Sequence, residues 1–386
     1  MKLTGTMHKY KRNKLILLSL AHSVNDISYA VVPLLLPLIR EEFSFTYMQA
    51  GLFFTCFFAA HSVFSMFSGY ISDKTHKTER ILSFGFFFTA IAFSLLLLTH
   101  LYIQIIAVMI LAAIGLSVFH PVGISLLSRG WRKGISFGFF QAVSSIGVSA
   151  MMLFFSYLVT MLGWRLTSLI LATPSILIGL AFLLSYFNLG YIDPTTQPKV
   201  NPITPKSLGL FYFARGAQIF GVVAITSFMP LFAVDVAGLL PEKASFLPAF
   251  IWIGAIPATL IWGVLSDYYS PLKIILFLSL AIIPITLATT LSLSLSVIFI
   301  LLIGLGFCNG GVWTPQTVWL SRVTFKKTRG KVFGGIMSIS GLSQIFSPLF
   351  FGFIANKWGL ITTFRFTIFP MIISFLCLSK LIRGNK

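Results

Sequence analysis

Gly69-Tyr-Ile-Ser-Asp73 ends a long apolar run, and the related stretch Gly263-Val-Leu-Ser-Asp267 ends another apolar run 194 residues later. Further landmarks recur at the same offset, namely the pairs Pro121 and Pro315, and Gly147 and Gly341. One short match is compatible with chance, but three in one register indicate an internal repeat about half the chain long. The chain is therefore predicted to consist of two related halves.

The composition assigns both halves to the membrane. Of the 386 residues, 57% are hydrophobic and only 10% are charged, and the mean hydropathy is +0.93, whereas soluble proteins carry roughly 25% charged residues. An ordinary soluble protein is therefore excluded, and duplicated hydrophobic halves are typical of secondary transporters. The three cysteines stand inside apolar runs without paired spacing, which argues against a disulfide framework or a metal site.

The apolar runs predict twelve membrane spans, each close to the roughly 20 residues that one crossing needs. They lie near residues 15–39, 47–71, 81–99, 102–128, 135–161, 167–187, 207–234, 244–265, 273–292, 295–321, 331–354 and 360–380. We predict an all-α membrane protein with an N-terminal six-helix bundle over 1–187, a cytoplasmic linker over 188–206 and a C-terminal six-helix bundle over 207–386.

The basic residues set the orientation. Most of the 28 lysines and arginines fall in the N-terminus, the even-numbered loops and the C-terminus, while the acids divide evenly between the two faces. This positive-inside pattern predicts a plasma-membrane protein with both termini in the cytoplasm. The formal charge of +19 thus reflects topology and contact with the lipid bilayer, and nucleic acid is not an expected partner.

The paired loop stretches resemble a known family. Gly-x-[Ile/Leu]-Ser-Asp after spans 2 and 8 is similar to the loop motif of the major facilitator superfamily, which reads roughly Gly-x-Leu-x-Asp-Arg-x-Gly-Arg-Arg. Gly69, Asp73 and Lys77 match that motif, and the second copy keeps Gly263 and Asp267. The resemblance implies two pseudo-symmetric six-helix bundles and solute transport by alternating access.

A narrower resemblance is to the fosmidomycin-resistance branch of that superfamily. It rests on His22-x-x-Asn25-Asp26 in span 1, Phe119-His120-Pro121 in span 4 and Arg215 in span 7. Members of that branch are regarded as drug exporters, so the resemblance implies proton-driven export of a small organic solute. Span 5 lacks the Gly-Pro pair that the family's exporters usually carry, which favours the alternative of uptake or exchange of a small organic anion.

A polar stripe runs along span 1. Asp26 lies about 11 residues, or ~16 Å, into the span and close to the midplane, and His22, Asn25 and Tyr29 share its helical face. A carboxylate at that depth costs on the order of several kcal/mol unless it is paired, hydrated or protonated. We predict that Asp26 and His22 carry the coupling proton and that Asn25 and Tyr29 bind substrate. The alternative is a structural cluster that fixes span 1 against a neighbour.

Further polar residues lie at membrane depth in other spans. His120, beside the helix-kinking Pro121, is a candidate substrate ligand or proton relay, the alternative being a hydrogen bond to the kinked backbone. Arg215 is a candidate ligand for an anionic substrate group, a counter-ion of Asp26, or a side chain that reaches the cytoplasmic surface. The remaining substrate-binding candidates, which can equally serve helix packing, are Asn309, Trp313, Gln141 and Gln344.

The carboxylates of Asp73 and Asp267 end spans at the cytoplasmic face, where an acid can cap a neighbouring helix and pair with a basic residue. A contact that exists only when this face is shut favours the outward-open state. The alternative is a plain helix cap. The candidate gating residues are Gly69, Asp73, Lys77, Arg132, Gly263 and Asp267.

Enzyme motifs are missing from the sequence. It contains no Walker sequence, no Gly-x-Gly-x-x-Gly fingerprint and no metal-ligand spacing. We expect no enzymatic activity, no cofactor and no metal, and a monomer whose partners are a small-molecule substrate and protons, or sodium, as coupling ion. A membrane sensor that kept the same fold is a remote alternative.

Overall fold

The computed structural model describes residues 2–74, 78–130, 134–184, 203–291, 294–324 and 329–384, so most of the predicted linker at 188–206 lies outside the described residues. Helices are the regular secondary structure of the described chain, which contains no strand. They are α1 (Lys2–Leu34), α2 (Leu36–Phe43), α3 (Tyr47–Lys74), α4 (Thr78–Leu95), α5 (Tyr102–Leu116), α6 (Phe119–Gly130), α7 (Gly134–Leu184), α8 (Pro205–Asp235), α9 (Phe246–Tyr268), α10 (Pro271–Thr289), α11 (Leu295–Gly310), α12 (Trp313–Val323), α13 (Arg329–Phe366) and α14 (Ile368–Gly384).

The predicted twelve-span, all-α fold is confirmed. Ten helical stretches in the described part of the chain are long and apolar enough to cross a membrane, and the two longest, Gly138–Leu184 and Val332–Gly384, have 47 and 53 residues. Each is about twice the length of one crossing. They break at Gly163 (φ 72°) and Gly359 (φ 77°), a left-handed backbone that glycine adopts readily. Each therefore supplies two crossings, so the ten helical stretches account for twelve membrane crossings.

The internal repeat reappears as a pair of helix breaks. Helix α5 ends at Leu116 and α6 begins at Phe119, and in the second half α11 ends at Gly310 and α12 begins at Trp313. Both boundaries repeat at the 194-residue offset that relates the two loop stretches. The two halves thus share the place at which a membrane helix is interrupted.

Pro121 accounts for the position of the first break. Proline has no N–H, so the carbonyl of Ser117, four residues earlier, loses its helical donor. The hydroxyls of Ser65 and Ser68 on α3 donate to that carbonyl instead, at 3.1 Å and 3.3 Å. The sequence predicts a kink at Pro121, but the break falls at Ser117 and Val118, because proline is tolerated in the first turn of the helix that follows.

The second break is lined differently. A Cβ atom on Gly311 would lie 2.3 Å from Cδ1 of Trp262, so the indole ring occupies the space beside the interrupted backbone. Pro315 stands in the first turn of α12, as Pro121 does in α6. The same backbone interruption therefore faces hydroxyl groups in the first half and an aromatic ring in the second.

Helices α9 and α11 approach each other closely through two glycines. A Cβ on Gly306 would lie 1.8 Å from the carbonyl oxygen of Ile251, and a Cβ on Gly254 would lie 2.0 Å from the carbonyl oxygen of Ile303. Small residues permit this backbone-to-backbone packing, which is a common means of associating helices in membranes.

Contacts divide the chain into two compact units. One consists of Met1–Leu35 and Ala59–Asp193, and the other of Leu36–Phe58 and Pro194–Lys386. Helix α2 and the first part of α3 thus pack with the second half of the chain. The predicted bundle boundaries remain a prediction.

A charged cluster ties α2 and α3 to α8 within the second unit. The guanidinium of Arg40 donates to the carboxylate of Asp235 and lies 4.4 Å from the centre of the Tyr47 ring. The hydroxyl of Tyr47 donates to the same carboxylate at 2.5 Å. The side chains of Arg40 and Tyr47 therefore share one carboxylate.

We expect the Arg40–Asp235 pair to stabilise the fold only modestly. Both side chains are about a quarter exposed, at 28% and 26%, so solvent screens their attraction and the coupling free energy should be about 0.5–1 kcal/mol. The check is a double-mutant cycle of Arg40→Ala and Asp235→Ala, read as apparent Tm in detergent. Strictly additive losses would show that the pair contributes no coupling.

Candidate functional site

Asp26 on α1 stands at the centre of a polar cluster in the first unit. Asp26 is 7% exposed. The Nε2 atom of His22 lies 3.0 Å from one carboxylate oxygen, and Nε2 of His120 on α6 lies 3.3 Å from the other. The hydroxyl of Ser144 on α7 donates to the carboxylate at 2.5 Å. Three helices therefore converge on one buried acid.

The remaining members of the span 1 stripe lie along the same helix face. The side-chain amide of Asn25 donates to Asp26 at 3.5 Å, and Asn25 is 2% exposed. Tyr29 is half-buried, and its ring centre lies 5.4 Å from that of His61 on α3 at an angle of 70°. The helical spacing in the sequence thus identifies side chains that the structure places together.

The hydrogen bonds of His22 fix which of its ring nitrogens carries a proton. Nδ1 lies 3.2 Å from the backbone carbonyl oxygen of Phe140, and a carbonyl only accepts, so Nδ1 is the donor. The other nitrogen, Nε2, then faces the carboxylate of Asp26. Two atoms that bear lone pairs repel each other at 3.0 Å unless a proton lies between them, so this contact calls for a second proton in addition to the one on Nδ1.

Aromatic packing holds the ring of His22 in that orientation. The ring stacks on Phe140 with centres 4.0 Å apart at 8°, and on Phe119 with centres 5.6 Å apart at 15°. Both phenylalanines belong to the apolar core that α1, α4, α6 and α7 form in the first unit. A buried apolar core therefore positions the nitrogen that faces Asp26.

His120 is the most accessible member of the cluster. Its side chain is 36% exposed, compared with 3% for His22 and 9% for Asp26. It lies in the first turn of α6, directly after the helix break, and meets the His22 ring edge-on with centres 5.5 Å apart. Ligand atoms of His22, Asp26 and His120 lie within 4.8 Å of one another, so one small cation, a proton included, can contact all three.

Arg215 on α8 forms a second polar cluster, in the other unit. It is 2% exposed. Its Nε donates to the amide oxygen of Gln316 on α12 at 2.6 Å, and its Nη1 donates to the amide oxygen of Gln218. The hydroxyl of Ser279 on α10 donates to the same Gln218 oxygen at 3.0 Å. No described residue forms an ion pair with Arg215, and its recorded partners are neutral amides.

Sequence reasoning missed the partners of Arg215. Gln218 lies three residues after Arg215 and hence on the same helical face, a signal that could have identified it. Gln316 follows the proline of the second break, and Ser279 lies in an apolar helix with no local signal.

The other predicted substrate ligands occupy scattered positions. Asn309 and Trp313 flank the break between α11 and α12, where Trp313 is 39% exposed. Gln141 is half-buried and lies one turn before Ser144 on α7. Gln344 is half-buried on α13. Substrate contact at these four residues remains a prediction.

The described gating candidates lie near the helix breaks or at helix ends. A Cβ on Gly69 would lie 3.6 Å from Pro121, and a Cβ on Gly263 would lie 3.4 Å from Thr314, so each motif glycine packs against the helix that follows a break. Asp267 is highly exposed, with a side chain 71% accessible and 3.8 Å from the guanidinium of Arg322. Outside the described residues lie the side chain of Asp73 and all of Lys77 and Arg132.

The sequence is similar to a resistance protein and to a probable transporter. The fosmidomycin resistance protein of Escherichia coli K12 is 25% identical over 281 residues, which cover 70% of this chain and 69% of that protein. The probable L-galactonate transporter of the same organism is 23% identical over 185 residues, 47% of this chain and 40% of that protein. The narrower resemblance predicted from spans 1, 4 and 7 is thereby confirmed.

Solved structures support the fold. A bacterial homologue of the human lysosomal transporter Spinster, in an inward-facing and occupied conformation, aligns with a TM-score of 0.80 at 17% identity over 97% of both chains. The nucleoside transporter NupG aligns with a TM-score of 0.76 at 13% identity over 96% of this chain and 99% of its own. The model of the Major Facilitator Superfamily matches residues 18–324 and 211–386. The chain therefore belongs to the Major Facilitator Superfamily.

Proposed function

We propose that the chain is a secondary active transporter that exports a small organic solute by alternating access, with proton coupling through Asp26 and His22. Membership of the superfamily supports transport of a small solute across a membrane. Sequence similarity to the fosmidomycin resistance protein favours export. The proposed setting is the plasma membrane, with both termini in the cytoplasm and a monomer as the working unit.

The buried cluster around Asp26 is the observation that carries the proposal. An ionisable residue inside a membrane span is costly and is a functional site by default. Here the carboxylate meets two imidazoles and a hydroxyl, and histidine exchanges protons near neutral pH. The partly exposed His120 provides the route by which a proton reaches the buried pair.

The composition of the cluster favours protons over sodium as the coupling ion. Hard cations such as sodium prefer oxygen ligands, whereas imidazole nitrogen binds protons well. Two of the four described groups that contact the Asp26 carboxylate are imidazoles. A sodium site would instead be expected to present several carbonyl or carboxylate oxygens.

Further roles are proposed for the other polar residues. Near the first break, Asn25, Tyr29 and His120 serve as substrate ligands, and Asn309 and Trp313 do so near the second. Gln141, Gln344 and Arg215 complete the set of substrate ligands. At the helix ends, Asp267 and its motif glycine contribute to gating, together with the first copy at Gly69 and Asp73.

A second candidate function is uptake or exchange of a small organic anion. It is favoured by Arg215, whose charge is buried at 2% exposure and whose recorded partners are neutral. A guanidinium binds carboxylate and phosphonate groups well. In this case the anion, and not a proton at Asp26, dominates the coupling.

The test is proton movement in proteoliposomes that enclose a pH-sensitive dye. Phosphonates, including fosmidomycin, cationic drugs and small carboxylates are added one at a time across a fixed pH gradient. Under the proposal, at least one compound drives a pH change absent from protein-free vesicles, and its sign separates antiport from symport. Radiolabel movement of a compound without any pH change would instead support the anion alternative.

A further inference from the structure

The charge of Arg215 is not balanced by an ion pair with any described residue. The side chain is 2% exposed, and the ion pairs between described residues do not include it. Burying a charge without a partner of opposite sign is strongly unfavourable, and neutral hydrogen-bond acceptors offset that cost only in part. Among the described residues of the second unit, the negative charge that would balance Arg215 is therefore missing.

The hydrogen-bonding groups around Arg215 include more donors than acceptors. The amide oxygen of Gln218 accepts from both Arg215 and Ser279, and that of Gln316 accepts from Arg215. The amide nitrogen of Gln218 is buried and finds no acceptor in the described part of the chain. Since Arg215 itself offers five N–H donors and no acceptor, N–H groups remain after the available oxygens are used.

Reversing the Gln218 amide does not remove this surplus. The amide nitrogen would then face the guanidinium of Arg215, and both groups only donate. The oxygen must therefore point at Arg215, and the unpaired nitrogen must stand beside it. The excess of donors follows from the presence of Arg215 and not from a choice of amide orientation.

We infer that Arg215, Gln218, Gln316 and Ser279 form a site for one compact monovalent anion. The single guanidinium charge calls for one negative charge, and the surplus N–H groups call for an acceptor without donors of its own. A halide ion and the acid group of a transported solute share this chemistry. For the acid group of a solute, the inference rests on the proposed transport of an organic anion. For a halide ion it does not, because binding of a halide requires no transport.

An aromatic pair lies one helical turn from two residues of the site. Phe211 lies four residues before Arg215 on α8, Trp319 lies three residues after Gln316 on α12, and their ring centres are 4.3 Å apart. Both rings are buried. Buried apolar rings this near the guanidinium lower the effective dielectric around it, which strengthens its attraction to a small ion.

The experiment measures anion-dependent stability of the purified full-length protein in detergent. The apparent Tm is recorded in sodium gluconate at constant pH and ionic strength while gluconate is replaced by chloride, bromide, formate, acetate or sulfate. We expect a saturating rise of about 2 °C or more at tenfold above half-saturation with compact monovalent anions. Sulfate should add nothing beyond gluconate, because it is divalent and larger.

Two variants test the assignment. Arg215→Gln should lose the anion-dependent rise and yet be at least as stable as wild type in gluconate, because the unbalanced charge is gone. Gln218→Glu places a carboxylate beside Arg215 and should likewise abolish the rise while raising the Tm in gluconate. The matched control is Arg322→Gln, whose side chain is 45% exposed and which should retain the full rise.

The outcomes separate the two sources of the anion and can overturn the site. A rise with chloride and bromide assigns a free halide, whereas a rise confined to formate and acetate assigns the acid group of a solute. The absence of any rise in wild type, or a rise that persists in both Arg215→Gln and Gln218→Glu, contradicts the site. Since no transport is measured, none of these results depends on proton coupling at Asp26.

Discussion

Asp26→Asn should reduce solute-driven proton movement to the background of protein-free vesicles. The substitution keeps the size of the side chain, and the amide oxygen can take the position that accepts from Ser144 and faces His22. The amide cannot release a proton. The measurement uses the pH dye in proteoliposomes and a compound that gives a signal with wild type. Of all single substitutions in the Asp26 cluster, this one should have the largest effect on coupling.

The control for Asp26→Asn is Glu242→Gln, which also removes one carboxylate but lies in the short turn Pro241–Lys243. It should retain the wild-type signal. The apparent Tm of Asp26→Asn, measured in parallel, should stay within a few degrees of wild type because the packing around His22 is preserved. If Asp26→Asn moves protons at the wild-type rate, the carboxylate is structural and the coupling mechanism proposed for it is wrong.

Gly306→Ala should strongly destabilise the second unit. The new Cβ would lie 1.8 Å from the carbonyl oxygen of Ile251, whereas ordinary contact begins at 3.4 Å. The obstacle is backbone and not the end of a flexible side chain, so α9 and α11 must separate by more than 1 Å. Overpacking costs about 1–3 kcal/mol, and a rigid obstacle belongs at or above that upper end. We expect a loss of at least about 5 °C in apparent Tm.

The matched control for Gly306→Ala is Gly209→Ala on α8, where a Cβ meets nothing within 4 Å. Alanine there should be neutral or slightly stabilising, because it favours helix over the unfolded chain. Gly147→Ala gives an intermediate case, since its Cβ would meet the hydroxyl of Ser23, which can rotate away. Equal Tm values for Gly306→Ala and Gly209→Ala would contradict the close backbone contact between α9 and α11.

The fold could be predicted because each membrane crossing leaves its signal within its own segment. A run of about 20 apolar residues is enough to identify a span, and three pairs of landmarks at one offset of 194 residues are enough to identify the repeat. The grouping of Leu36–Phe58 with the second half of the chain could not be predicted in this way. It depends on contacts such as that between Arg40 and Asp235. These residues are far apart in the sequence, and no local pattern indicates that they pair.

The candidate site could be predicted where its residues share one helix. The spacing of His22, Asn25 and Asp26 identifies their common face without any knowledge of the fold. The contacts of Asp26 with His120 and Ser144 depend instead on how α1, α6 and α7 are rotated against one another. No single segment encodes that rotation, so polar residues in other spans could be named only as candidates.

The cluster around Arg215 illustrates the same limit. The sequence identifies the arginine, because a charge inside an apolar run is conspicuous. It does not identify Ser279, because a lone serine in a membrane helix serves most often in packing. The excess of donors over acceptors becomes evident only from the structure, in which the amide oxygens of Gln218 and Gln316 accept hydrogen bonds from the guanidinium.

The two helix breaks carry a consequence for the ancestry of the chain. A proline follows each break at the same distance, which is the pattern expected of two copies of one ancestral half. The surroundings of the two breaks differ: the first break faces Ser65 and Ser68, and the second faces Trp262. Because proline fixes each bend through the backbone, the side chains around the bend can change while the helices keep their arrangement. Related transporters can therefore acquire a new substrate without a change of fold.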